Sequence, residues 1–161
     1  MPVAGAVVNC APMRRPAIDV YRRNLPHWRL AGATSFVTWR FASGQSELSP
    51  AERSLIGQSL RHFDQKKYEL LAYVVMDDHV HALVTPIGTA ALEQVVHGGK
   101  SFTTHQLQHA FGRRGRVWQA EYFDRVVRDE AALLEKATYI LHNPWKRWPE
   151  LEEYRWVGAR E

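Results

Sequence analysis

Two imidazoles separated by one residue offer the first chemistry. His79 and His81 flank Val80, with Ala82, Leu83, Val84 and Thr85 following. Such a run predicts a strand, whose alternate side chains leave on opposite faces, so both rings point the same way. Two parallel imidazoles make half of a divalent-metal site, because the near-neutral pKa of histidine leaves ring nitrogens free at physiological pH. The other reading is two polar side chains on the solvated face of a half-buried strand, and a converging third ligand would decide. A second pair, Tyr139 and Asn143, lies in a predicted helix, one turn and about 40° apart, so their side chains are neighbours. Taken singly, Tyr139 packs beside the stripe of Leu133, Leu134, Ala137, Ile140 and Leu141, and Asn143 is a helix terminus before Pro144. Taken together, they are a nucleophile and an adjacent oxygen ligand.

Phenol is a weak nucleophile at its free pKa of roughly 10, so attack on a phosphodiester needs help. A divalent ion held by His79, His81 and the Asn143 amide oxygen would polarise the scissile phosphate and steady the leaving 3′-oxygen. Two imidazoles and an amide oxygen suit Mn²⁺ better than Mg²⁺. The product would be a 5′-phosphotyrosine and a free 3′-hydroxyl. No ATP is needed, since the covalent bond conserves the phosphodiester energy for rejoining.

Several elements must position these groups. Residues 1–20 hold Pro2, Pro12 and Pro16 without periodicity and read as a flexible basic leader. A first strand is expected over Ala33–Ala42. Ser49, Pro50 and Glu52 form a helix-start signature for a helix reaching about Lys67. Tyr68–Met76 and His79–Pro86 make a hairpin around the Asp77–Asp78 turn, and turn chemistry accounts for that carboxylate pair. A helix begins at Thr89, is open to interruption at Gly98–Gly99, and resumes through Lys100–Phe111. Arg116–Val127 reads as the last strand. Asp129–Glu130 open a helix ending at Asn143, with Pro144 as its stop. Residues 149–161 read as a loosely packed tail. The order is that of an α+β, ferredoxin-like split βαβ arrangement: an antiparallel sheet with helices on one face, plus a C-terminal helix carrying the tyrosine.

The 161 residues are 45% hydrophobic and 24% charged, which excludes a disordered or collagenous chain. With no long apolar run a membrane span is not expected, and one cysteine, Cys10, leaves no internal disulfide, which fits a cytoplasmic protein. The net charge of +4 is uneven. Residues 1–42 and 100–128 are basic, and the segments between and after them are acidic. Arginine dominates lysine, 16 to 5, and it is the better fork for phosphate and the better plane for stacking on bases. Basic segments interleaved with Trp28, Trp39, Phe102, Phe111, Trp118 and Tyr122 suit single-stranded nucleic acid. A solvated basic face over core aromatics is the alternative.

Several segments occur in a specific order: Arg22–Arg23–Asn24–Leu25–Pro26–His27, Met76–Asp77–Asp78–His79–Val80–His81 and Lys100–Ser101–Phe102–Thr103. Val117–Trp118–Gln119, Tyr122–Phe123–Asp124–Arg125, Tyr139–Ile140 and Asn143–Pro144 follow. In these the chain resembles the REP-associated tyrosine transposases, a branch of the single-tyrosine HUH transposases, over roughly Tyr21 to Arg147. The resemblance implies an HUH domain, here 21–148, that cuts and joins single-stranded DNA near imperfect hairpins. His79 and His81 match the paired metal histidines, Tyr139 the helix-borne nucleophile, and Asn143 the third ligand, where relatives often carry glutamine. The implied cofactor is Mn²⁺ or Mg²⁺. Tyr122 is a second candidate nucleophile, ranked lower on its predicted strand.

Lys100, Arg113, Arg114 and Arg116 are expected to grip phosphates around a hairpin stem, and Arg125 and Arg128 beside the site. Arg14, Arg15, Arg22 and Arg23 would form an arm reading bases next to the hairpin. The partner is thus hairpin DNA, with the protein a monomer or homodimer. A competing reading is a non-catalytic nucleic-acid-binding domain on a ferredoxin-like scaffold. Against it, the strand that would carry base-stacking aromatics carries His79 and His81 instead.

Overall fold

A computed structural model describes residues 12–15 and 33–160. Its strands are β1 (Met13–Arg14), β2 (Thr34–Arg40), β3 (Tyr68–Val75), β4 (His79–Pro86), β5 (Phe123–Val127), β6 (Glu153–Tyr154) and β7 (Val157–Ala159). Its helices are α1 (Pro50–Phe63), α2 (Leu92–Phe111) and α3 (Glu130–Arg147).

The main sheet runs β5-β2-β4-β3-β7, with every neighbour antiparallel. Its first four strands lie in the fourth–first–third–second order of a split βαβ unit, so the expected α+β, ferredoxin-like fold is present. Alternation along β2 and β4 divides the core between two faces. Val37, Trp39, Val80, Ala82 and Val84 meet Ile56 and Leu60 of α1 and Val96 and Leu107 of α2. Phe36, Leu83, Val74 and Met76 meet Leu133, Ala137, Ile140 and Leu141 of α3. β3 would break this alternation were it regular. Its register shifts between Leu70 and Ala72, so Leu71 and Ala72 join the α3 face while Leu70 and Tyr73 join the other.

Local chemistry sets the helix starts. Ser49 accepts from the Glu52 N–H while the Glu52 carboxylate accepts from the Ser49 N–H, a complete capping box before Pro50. Asp129 caps α3 by accepting from Ala132 N. Gly112, at φ 68°, closes α2 in the left-handed conformation that glycine adopts without steric cost.

Five expectations change. α2 is continuous through Gly98–Gly99, because Val96, Thr103 and Leu107 bury one side of it. The last strand starts at Phe123, not Arg116. Residues 116–122 are held to α2 instead: Trp118 Nε1 donates to Thr103 Oγ1, and Lys100 Nζ donates to the carbonyls of Gln119 and Ala120. α3 runs past Pro144 to Arg147, since burial of Pro144 and Trp145 outweighs the one helical bond that proline removes. The tail is not loose. β7 is the sheet edge against β3, and Arg160 joins it by a buried ion pair to Asp64 at 2.5 Å. Part of the leader is also engaged, Met13–Arg14 pairing with Glu153–Tyr154.

Candidate active site

The β3–β4 turn fixes the histidines. Met76 N donates to His79 O at 2.8 Å, and the Asp77 and Asp78 carbonyls accept from Leu48 and Phe41, so the turn is held from both sides. In register, Thr38 lies opposite His81 and Arg40 opposite His79. Both rings therefore face α3, as the His-x-His spacing requires. Both are buried, at 8% and 3% exposure, with centroids 4.6 Å apart.

Each imidazole is oriented through Nδ1. His79 Nδ1 lies 2.6 Å from Asp78 Oδ1, and His81 Nδ1 lies 2.6 Å from Thr38 Oγ1. A carboxylate on Nδ1 places the proton there and leaves the Nε2 lone pair for a ligand. His81 Nε2 is buried with no hydrogen-bond partner among the described residues. An orphaned buried nitrogen is costly unless something meets it, and a neutral imidazole beside another one fits a metal ion. Burial, then the neighbouring His79 and Arg40 charges, pushes His81 down to about 3 against the raising pull of Asp78. Burial also lowers His79, outweighing Asp78. Both are neutral at physiological pH, the form that ligates. Asp77, Asp78 and His79 also bring ligand atoms within 4.8 Å of one another, a group able to hold a metal. Asp77 is buried and salt-bridged to Arg147 at 2.7 Å, and its Oδ1 has no hydrogen-bond partner among the described residues.

Tyr139 reaches this pair from α3. Its ring centroid is 5.3 Å from His81 and 5.8 Å from Phe36, which stacks on His81. Tyr139 stays 41% exposed, open to a substrate. Asn143 follows one turn on, buried and, because α3 continues, inside the helix instead of at its end. Tyr122 packs with the cluster on the α1–α2 side of the sheet, while Tyr139 lies on the histidine side.

The expected DNA-binding residues separate into groups. Arg114, Arg116, Arg125 and Arg128 are exposed. Arg125 pairs with Phe36 across β5–β2, on the histidine face. Arg113 is not a surface residue: its guanidinium grips both Glu52 oxygens at 2.6 and 2.8 Å and the carbonyls of Ser46 and Glu47. Lys100 is likewise committed, to the 119–120 carbonyls. Arg14 lies in β1, Arg15 is close enough to lower the His142 pKa after burial has done so, and Arg22 and Arg23 fall outside the described residues. The sequence reading missed three cations around the site. Arg40 is exposed beside His79; Lys136 Nζ sits 5.1 Å over the Phe36 ring and Lys146 Nζ 5.7 Å over the Tyr139 ring. Arg40 was findable two residues from Thr38 on one strand face, but the lysines look like ordinary helix-surface charges until α3 is docked.

Residues 52–143 match the family of IS200-like transposases, more than half of the chain. The chain belongs to this family. A solved structure of a REP-associated tyrosine transposase bound to a REP hairpin superposes on this transposase with a TM-score of 0.57 at 20% identity, over 75% of this chain and 72% of that one. Identity that low speaks for the shared fold. No curated protein matches the chain. Among the described residues of this transposase, no helix is long and apolar enough to cross a membrane.

Proposed function

We propose that this transposase cuts and rejoins single-stranded DNA at hairpin sequences through a 5′-phosphotyrosine formed on Tyr139. The observation carrying this reading is the approach of a solvent-open tyrosine, ring to ring at 5.3 Å, to an imidazole whose Nε2 is buried and unpartnered. The similar protein of known structure was bound to a REP hairpin, which motivates the substrate.

His79, His81 and Asn143 would hold the divalent ion, with Asp78 and Thr38 orienting the rings. When bound, it would supply Lewis-acid polarisation of the phosphate and charge stabilisation of the departing oxygen. The Tyr139 oxygen attacks phosphorus, the P–O3′ bond breaks, and the phenolic proton passes to water as the strand leaves with a 3′-hydroxyl. Attack of a 3′-hydroxyl on the phosphotyrosine reverses these bonds and joins strands. Lys136, Lys146 and Arg40 border the reacting groups and offset phosphate charge. Exposed Arg114, Arg116, Arg125 and Arg128 contribute phosphate contacts, with the Arg14–Arg15 and Arg22–Arg23 pairs as a further arm.

The test is a denaturing gel after incubation with end-labelled hairpin DNA carrying single-stranded flanks and Mn²⁺. A protein-linked band that Tyr139→Phe abolishes is expected. A band surviving in that variant transfers the chemistry to Tyr122, and binding without any band favours a non-catalytic DNA-binding domain.

A further inference from the structure

Phe123 begins the edge strand β5 and is 57% exposed, the most open large apolar side chain among the described residues. Its place is specific. Across the sheet Phe123 pairs with Thr38, and Thr38 pairs with His81, so the three side chains share one row and one face. Phe123 also lies 6.4 Å, edge to face, from Phe36, the buried ring that Tyr139 contacts at 5.8 Å. Phe123 and Tyr139 are therefore two exposed rings that share one buried neighbour, Phe36, which stacks on His81. A cleft of about 330 Å³ opens here, lined by Thr38, Arg40, Gln119, Glu121, Tyr122 and Phe123. That lies within the roughly 300–1,000 Å³ range of small-ligand sites.

The lining has a definite chemistry. Phe123 supplies an exposed ring for stacking, and Arg40 an exposed cation whose charge also reaches the Asp78 carboxylate. Gln119 is anchored by its backbone to Arg40 O and by its amide N–H to Phe41 O, which leaves its side-chain carbonyl as an acceptor. Glu121 adds a carboxylate. With the Arg40 donors turned to phosphate, the groups left for a base edge are two acceptors, the Gln119 carbonyl and the Glu121 carboxylate; they match the exocyclic amines of adenine, cytosine and guanine, and thymine has none. We propose that this cleft is a nucleobase pocket, taking an unpaired base stacked on Phe123 beside the phosphate held at the histidine pair, and preferring amine-bearing bases to thymine. The proposal rests on the strand-cutting reading only for the position of that base relative to the scissile bond.

The experiment is an abasic scan. Hairpin oligonucleotides with single-stranded flanks, each lacking one base, compete for the full-length protein in anisotropy measurements with chelator present. For the unaltered protein, removal of one flank base should weaken binding about tenfold, the scale of one base–aromatic stack. In Phe123→Ala that position should become indistinguishable from its neighbours, and Phe123→Tyr should restore the sensitivity. Placing thymine there should cost the unaltered protein affinity, and Glu121→Gln should shrink the difference. The proposal is overturned by a flat scan in the unaltered protein, or by the same sensitive position in Phe123→Ala. Because the readout needs no cleavage, it separates from the Tyr139 test: a DNA–protein adduct with a flat scan sinks the pocket alone, and a Phe123-dependent scan without an adduct sinks the cleavage chemistry alone.

Discussion

The side chains that matter most are those whose polar atoms are left waiting. His81 is buried, neutral and open at Nε2, burial and the neighbouring His79 and Arg40 outweighing the pull of Asp78. His81→Ala should remove Mn²⁺-dependent adduct formation while hairpin affinity stays within a few-fold; an equal adduct yield in chelator would contradict the metal reading. The same burial predicts a pH dependence of stability. His81 has a folded pKa of about 3 against 6.5 for the free side chain, and His79 is shifted the same way. The unfolded chain thus takes up these protons first. The His81 contribution is fully present above about pH 6.5 and is lost as pH falls toward 3, by up to about 1.4 kcal/mol per pH unit, and His79 acts in the same direction. Urea titrations in chelator at pH 7 and pH 5 should show the loss, and His81→Gln should lose less than the unaltered protein. Both histidines and Tyr139 were legible in the sequence, because a two-residue and a four-residue spacing suffice to place them. Arg40, Phe123, Lys136 and Lys146 were not, since their role depends on which strand or ring lies opposite.

Elements were read best where one local pattern decides them. β4 runs over His79–Pro86 as expected, and Ser49, Pro50 and Glu52 fix the start of α1. Failure came where distant contacts override a local signal: Pro144 inside α3, the irregular 116–122 stretch tied down by Lys100, and β7 recruited by β3 and Arg160. Arg113 is the clearest case, a residue in a Gly-flanked basic turn that reads as a phosphate grip. Its side chain is 7% exposed against Glu52 at 6%, and it clamps the end of α2 to the capping box of α1. Burial raises the Glu52 pKa, but the Arg113 hydrogen bond, the Ser49 N–H and the Arg113 charge together bring it below the usual value. Arg113→Ala strands a buried carboxylate and should cost about 3–5 kcal/mol in chemical denaturation. A lowered carboxyl pKa stabilises above the unfolded value near 4.5 and loses that contribution as pH falls, so Arg113→Ala should flatten the acid limb of the stability curve. A loss confined to DNA affinity, with stability unchanged, would instead return Arg113 to the DNA surface.

The whole molecule presents two chemically different sides of one sheet. α1 and α2 seal one face with an apolar cluster, whereas on the α3 face Tyr139 and Phe123 stay exposed beside the buried histidines. The net charge of +4 matters less than where the cations lie, with Lys136 and Lys146 over the Phe36 and Tyr139 rings and Arg40 and Arg125 on the sheet below. Phosphate contacts release counterions, so affinity for single strands falls with salt at a slope of about −0.7 per contact, whereas stacking on Phe123 releases none. The two contributions therefore separate by their salt dependence. The double variant Lys136→Ala with Lys146→Ala should weaken binding to all single-stranded sequences alike and reduce the slope by about 1.4. Phe123→Ala should weaken binding comparably at one salt concentration yet leave the slope in place. Measuring affinity across 50–300 mM salt for the three proteins checks both, and a slope unchanged in the lysine variant would place the backbone of the bound strand away from α3.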